Sequence, residues 1–114
     1  MAFKGFIVRS NLLLKILTIG FASGLTLFPF IFIKKHLHVD KTVINHERIH
    51  IAQQLETLFI GFYILYIFEY LKNRISMTHF EAYMAISFER EAFYNESNLQ
   101  YLDHRKMYAF LKYF

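Results

Sequence analysis

The segment NHERIHIAQQLE, Asn45–Glu56, carries metal-binding residue types at helical spacing. His46 and His50 are four residues apart, so on a helix both imidazoles point the same way and can bind one metal ion. Glu47 lies beside them, where its carboxylate can take a proton from a water that zinc activates for attack on a carbonyl. The pattern H-E-x-x-H therefore predicts a zinc site with Glu47 as general base. The alternative is a solvated polar helix face.

A catalytic zinc ion usually takes three protein ligands and keeps one position for water. Metzincins supply a histidine six residues after the second motif histidine, but Glu56 occupies that position here. A carboxylate from a later helix is the alternative, and the segment ISFEREAFYNE offers Glu89, Glu91 and Glu96. Glu89 shares a helix face with apolar and alanine residues, whereas the polar neighbours of Glu91 indicate a wet surface. We expect Glu89 to be the third ligand, with Glu96 as the reserve and an ion pair as the other role for Glu89.

NHERIHIAQQLE followed by FEREA resembles the gluzincin-type zinc metallopeptidases, in which a glutamate from an E-x-x-A stretch completes an H-E-x-x-H site. The sequence is similar to small bacterial metallopeptidase domains with H-E-x-x-H-x-x-Q-Q and, more distantly, to the CAAX prenyl protease group. The resemblance implies a minimal zincin-like fold in which His46, His50 and Glu89 bind Zn²⁺ and Glu47 is the base. Phe93 stands where the prenyl protease group has Asp.

The rest of the chain must supply the helices that position these residues. An active helix is expected from about residue 42 to at least Phe59, with a bend or break near Gly61. The sequence THFE is a capping box that predicts the start of a ligand-bearing helix over about 78–97. We expect one domain over 1–114, mostly α with a short N-terminal β element (α+β).

The distance between the expected ligands along the chain constrains how the helices are arranged. In a straight helical hairpin that turns near Ile75, His50 and Glu89 would be separated by about 16 Å along the helix axis, at ~1.5 Å per residue. A helix break near Gly61 or a steep crossing is therefore required if Glu89 is to meet the histidines.

The apolar N-terminal segment, residues 1–35, contains an uncharged run, Ile16–Ile33, that just reaches the roughly 18 residues associated with a membrane span. Gly20, Gly24 and Pro29 disfavour a continuous helix, and LTLFPFIFI is typical of a buried strand with proline at an edge. We interpret this run as a strand first. A spanning helix and a cleaved signal segment are the alternatives.

The composition bears on partners and location. The chain is 55% hydrophobic and 19% aromatic, so part of its apolar surface is expected to face lipid or another protein, including a second copy. It contains no cysteine, so a bound metal must use His, Asp or Glu. Its net charge of +4 is spread along the chain without a nucleic-acid motif. We expect a membrane-associated protein, with a cytoplasmic location as the alternative, and no nucleic-acid partner.

Two functions follow from these expectations. One is a zinc metallopeptidase that hydrolyses peptide or protein substrates; the other is a small, non-catalytic, membrane-associated protein with a structural metal site or none. Weaker candidates for a metal ligand or a transition-state donor are His36, His38, His104, Tyr83, Tyr94 and Tyr101, whereas His79, second in the capping box, is expected to be solvated.

Overall fold

A computed structural model of the chain describes residues 5–12, 24–33 and 40–114. Helices dominate, and three short strands form a small N-terminal sheet, so the expected α+β class is confirmed. In chain order the elements are β1 (Phe6–Arg9), β2 (Gly24–Leu27), β3 (Phe30–Ile33), α1 (Asp40–Glu56), α2 (Ile60–Arg74), α3 (His79–Met84), α4 (Ser87–Asn95), α5 (Tyr101–His104) and a 3-10 helix, Ala109–Tyr113.

The central strand of the sheet is β3, which pairs parallel with β1 and antiparallel with β2. The run LTLFPFIFI is β structure as expected, but a turn at Phe28 and Pro29 divides it into two strands. Ile31 and Ile33 are fully buried while Phe30 is exposed, as the two-residue period of a strand requires. One face of the sheet therefore packs on α1. Residues 16–23 of the apolar run lie outside the described part of the chain.

Helix α1, the expected active helix, begins at Asp40, close to the expected start, but it ends at Glu56 instead of reaching Phe59. Leu58 and Phe59 have φ values of 55° and 61°, a left-handed conformation that stops a helix. The chain therefore turns before Gly61. From Lys41 onward α1 makes an angle of 111° with α2, so the two helices do not form one straight rod.

The expected ligand-bearing helix over about 78–97 is corrected to two helices, α3 and α4. The capping box of α3 is present, because the Thr78 hydroxyl accepts from the Glu81 amide. Ile86 is extended and fully buried, and it separates the two helices. The buried carboxylate of Glu69 then accepts from the amide and hydroxyl of Ser87 at 2.9 and 2.7 Å. This cap begins α4 and positions its first turn.

Two apolar clusters hold these elements together. The first joins the sheet to α1 through Ile31, Ile33 and Ile51. The second joins α2, α4 and the 3-10 helix through Phe62, Ile86, Phe88 and Phe110. Full burial of such side chains contributes about 1.5–3 kcal/mol each before the entropy of ordering is subtracted. Helix α1 thus packs on the sheet with one side and faces α4 with another.

In the described ranges, no helix taken singly is long and apolar enough to cross a lipid bilayer; α1 and α2 would pass that test as a pair, but they are sharply bent.

Candidate metal centre

The polar face of α1 is buried. His46 and His50 expose 5% and 4% of their surface, and their rings lie 4.9 Å apart between centroids. Glu47, Gln53 and Gln54 are buried as well. A solvated polar face, the alternative raised by the sequence, does not describe this helix, because each of these groups has exchanged water for a protein partner.

Glu89 from the first turn of α4 meets both histidines. Its Oε1 lies 3.0 Å from Nε2 of His46 and 3.1 Å from Nε2 of His50. The three candidate ligand atoms lie within 4.8 Å of one another, so this buried group can hold a metal ion. Two ligands about 2.0 Å from a tetrahedral zinc ion are separated by about 3.3 Å, close to the two Nε2–Oε1 distances.

Gln53 determines which nitrogen of His50 is free. Its amide nitrogen donates to the carbonyl oxygen of Phe88 at 3.1 Å and to Oε1 of Glu91 at 2.9 Å, and both partners only accept. The amide oxygen of Gln53 must therefore face Nδ1 of His50, 2.7 Å away. Nδ1 carries the proton and donates, which leaves a lone pair on Nε2 directed at Glu89.

Glu96, directly after the C-terminal end of α4, determines which ring nitrogen of His46 is free. Nδ1 of His46 donates to Oε1 of Glu96 at 2.8 Å, so Nε2 again carries the lone pair when the ring is neutral. The carboxylate of Glu96 thus binds the nitrogen that faces away from Glu89. The side-chain amide of Asn45 donates to the backbone carbonyl of Glu96 at 2.7 Å and so holds the end of α4 against α1. Glu96, the reserve ligand, is placed to orient His46.

The electrostatics of the site favour positive charge on the two histidines beside Glu89. Burial disfavours charge on His46, but hydrogen bonds to Glu89 and Glu96 outweigh it and raise its pKa to about 10. The pKa of His50 is also raised, because the charge of Glu89 overcomes burial. Burial opposes ionisation of Glu89 too, yet the two histidines hold its pKa well below the usual range. Neutral rings would aim two lone pairs at one carboxylate oxygen, so the group requires either protons or a metal ion between its members.

Thr26 of β2 holds Glu47. The Thr26 hydroxyl lies 2.7 Å from Oε1 of Glu47 and 3.0 Å from its backbone carbonyl, and it can donate to either. Gln54 fixes the strand in turn, because it donates to the carbonyl of Thr26 at 3.1 Å and accepts from the amide of Phe28 at 3.0 Å. The second glutamine of the HExxHxxQQ pattern therefore fastens the sheet to α1 beside Glu47.

A cavity of about 340 Å³ opens beside these groups. Its polar lining includes Glu47, His50 and Glu89, and much of the remaining wall is apolar or aromatic side chains of α2. Tyr66 donates to Oε2 of Glu89 at 2.5 Å, and burial with the adjacent Glu89 charge raises the pKa of its hydroxyl. Tyr83 also lines the cavity, and burial beside Glu89 raises its pKa. Both hydroxyls therefore remain protonated donors near the candidate metal ligands.

The other histidines and tyrosines named in the sequence analysis lie in different parts of the structure. His79 lines the cavity, with the Tyr70 hydroxyl 2.7 Å from its Nδ1. His104 and Tyr94 are exposed and do not line the cavity. Tyr101 donates to Glu91, outside the cavity wall. His36 and His38 lie outside the described residues.

Glu91 corrects the sequence interpretation, which placed it on a wet surface. It is fully buried, and its carboxylate accepts from Arg105 at 2.5 Å, from Tyr101 at 2.6 Å and from Gln53. Arg105 also forms two hydrogen bonds with Glu56 at 2.7 and 3.0 Å. This buried ion-pair network fixes Gln53, and through it His50.

Sequence reasoning missed three groups that build the site. Thr26, Tyr66 and Glu69 contact partners 18 to 23 residues away along the chain. Of these three residues, only Glu69 could have been recognised in the sequence, since a lone carboxylate within an apolar helix needs a buried partner.

Comparison with known proteins finds no matching protein family, no similar curated protein and no similar solved structure.

Proposed function

We propose that this protein is a zinc-dependent metallopeptidase in which His46, His50 and Glu89 bind the metal and Glu47 is the general base. One observation carries the proposal: the Nε2 atoms of two buried histidines converge on one carboxylate oxygen of Glu89, and two members of this group, His50 and Glu89, line a cavity. Imidazole nitrogen and carboxylate oxygen are common zinc ligands, and a set of three is the usual protein contribution to a catalytic site.

When bound, zinc would lower the pKa of a water molecule and polarise a substrate carbonyl. Glu47 would act as general base toward such a water and return the proton to the leaving amine, and the Thr26 hydroxyl orients its carboxylate for this role. Tyr66 and Tyr83 are protonated and line the cavity, and either hydroxyl would serve as donor to the developing oxyanion on turning away from Glu89, to which Tyr66 donates in this structure. The apolar walls of the cavity would accommodate an apolar side chain of the substrate.

A structural metal site is the second candidate function, and it would be closed by a fourth protein ligand. Among the described residues the metal-binding group has three members, and Glu96 is engaged by the opposite nitrogen of His46. This arrangement favours the catalytic interpretation, since the fourth position is left for water.

The test is metal content together with hydrolysis, for the wild type beside Glu47→Gln, His50→Ala and Glu89→Gln. We expect near-stoichiometric zinc in the wild type and in Glu47→Gln, and loss of zinc in the other two variants. Cleavage of an unfolded protein substrate should occur only in the wild type. Zinc retained without cleavage by the wild type would favour the structural site, and no zinc after reconstitution would refute both.

A further inference from the structure

Helix α2 carries a continuous stripe of exposed apolar side chains. They follow the spacing i, i+4, i+7, i+8, i+11 and i+15, which places them on one face of a helix. Each is between 57% and 87% exposed. The members of this α2 stripe are Ile60, Ile64, Ile67, Phe68, Leu71 and, at the C-cap directly after the helix, Ile75.

The opposite face of α2 fixes the direction in which the stripe points. Phe62 lies in the second apolar cluster at 5% exposure, and Glu69 caps α4 at 4% exposure. At ~100° per residue the stripe spans about 100°, and its centre lies about 150° from Glu69. The stripe therefore faces outward from the fold over the whole length of the helix.

Basic residues border the stripe on both sides. Lys72 and Arg74 are exposed, and on the same projection they lie just beyond its two edges. Glu69, the one acidic residue of α2, faces the core. An apolar stripe between basic side chains is the pattern of a helix that lies in the plane of a membrane, with the cations reaching lipid phosphates.

We propose that the α2 stripe docks on an anionic lipid bilayer, with α2 parallel to the membrane surface. A second copy of the chain matches the stripe less well. In a two-fold contact Lys72 and Arg74 would face the partner's α2, which offers no exposed carboxylate, whereas anionic headgroups supply the complementary charge.

The stripe adjoins the candidate metal centre. Ile67 belongs to the stripe and also lines the cavity, as do Tyr63 and Tyr70 at the neighbouring edge of α2. Docking would therefore place the cavity beside the bilayer surface. As a consequence that rests on the proposed function, the substrate would be a peptide segment held at that surface.

Cosedimentation of the full chain with vesicles tests the proposal. Vesicles of phosphatidylglycerol with phosphatidylcholine should bind the wild type, and the double variant Ile64→Glu, Phe68→Glu should lower the partition coefficient at least ~10-fold. Leu99→Glu is the matched control, an exposed leucine in the loop after α4 that should leave binding unchanged. Replacing Lys72 and Arg74 with alanine should weaken binding about 30-fold on anionic vesicles and little on phosphatidylcholine alone.

Circular dichroism shows whether each variant is folded. Equal binding by the stripe variant and the wild type, or no binding by the wild type, would overturn the proposal. So would a wild-type dimer that the stripe variant converts to monomer without loss of vesicle binding. Chelator-treated protein should bind vesicles as well as metal-loaded protein, so a failure of the zinc proposal would be seen separately.

Discussion

Replacing Gln53 with methionine should weaken metal binding without touching a ligand. The change keeps an unbranched side chain in a fully buried position and removes the acceptor of the His50 Nδ1 proton, 2.7 Å away. The ring can then rotate or shift its proton to Nε2, which blocks the lone pair that the metal needs. Loss of such an orienting partner typically costs 10- to 100-fold in metal affinity.

The same substitution also destabilises the fold, because Gln53 donates to the Phe88 carbonyl and to Glu91. A buried polar group left unpaired costs about 1–3 kcal/mol. Gln54→Met separates the two effects. Gln54 is equally buried and bonds to Thr26 and to the Phe28 amide, but its hydrogen bonds reach no metal ligand.

The assay is competition for zinc with a chromophoric chelator at neutral pH, after urea unfolding has measured the stability of each variant. We expect both variants to lose about 1–3 kcal/mol of unfolding free energy, and only Gln53→Met to lose metal affinity 10- to 100-fold. Wild-type affinity in Gln53→Met, or an equal loss in Gln54→Met, would refute the inferred orientation of His50.

Three further changes have defined outcomes. Thr26→Val should retain zinc but lower the rate of peptide hydrolysis about tenfold, because the carboxylate of Glu47 loses the hydroxyl that orients it. Arg105→Met should cost about 3–5 kcal/mol in urea unfolding, because it leaves the fully buried Glu91 charge uncompensated. That cost should shrink in acid. Burial acts to raise the pKa of Glu91, but hydrogen bonds from Arg105, Tyr101 and Gln53 outweigh it and hold the pKa below the usual range of a glutamate. The ion pair therefore stabilises the fold above the usual pKa of the group, and this contribution is lost as pH falls through the lowered one. Glu69→Gln should cost about 1–2 kcal/mol through the weakened cap of α4.

For each of these three substitutions, a different experimental result would contradict the expected outcome. Zinc loss in the threonine variant would show that β2 supports the ligands and not only the base. A pH-independent cost in the arginine variant would show that packing, not charge, dominates there. Adding Glu91→Gln to Arg105→Met should recover part of the stability, since the unpaired charge is removed. An unchanged stability in the Glu69 variant would show that α4 begins without its cap.

The helical spacing of residues in the sequence was sufficient to predict that the two candidate histidine ligands lie side by side. The four-residue spacing of His46 and His50 needs only a helix to bring the rings together, and the helix formed. The capping box placed the start of α3 for the same reason, since its partners are three residues apart. Glu89 was selected because a carboxylate on an apolar, alanine-rich face must be buried with a partner.

Tertiary structure decided what surrounds the candidate ligands. Glu91 was assigned to solvent from its polar neighbours, but it is buried because Arg105 arrives from a later segment to neutralise it. Glu96 was a reserve ligand, and its place at the end of α4 instead brings it to the Nδ1 side of His46. Because the chain bends after α1 and breaks at Ile86, His50 and Glu89 are not offset along the helix axis as they would be in a straight hairpin.

The physical reason is the range of the interactions involved. A helix repeats every 3.6 residues, so contacts within one or two turns follow from residue order alone. Thr26 meets Glu47 across 21 residues, and Asn45 meets the Glu96 carbonyl across 51. Such contacts depend on where the chain turns and which faces pack. The sequence alone determined the candidate metal ligands on α1 and the helix that carries them, and only the packed fold decided their proton positions, their partners and the cavity beside them.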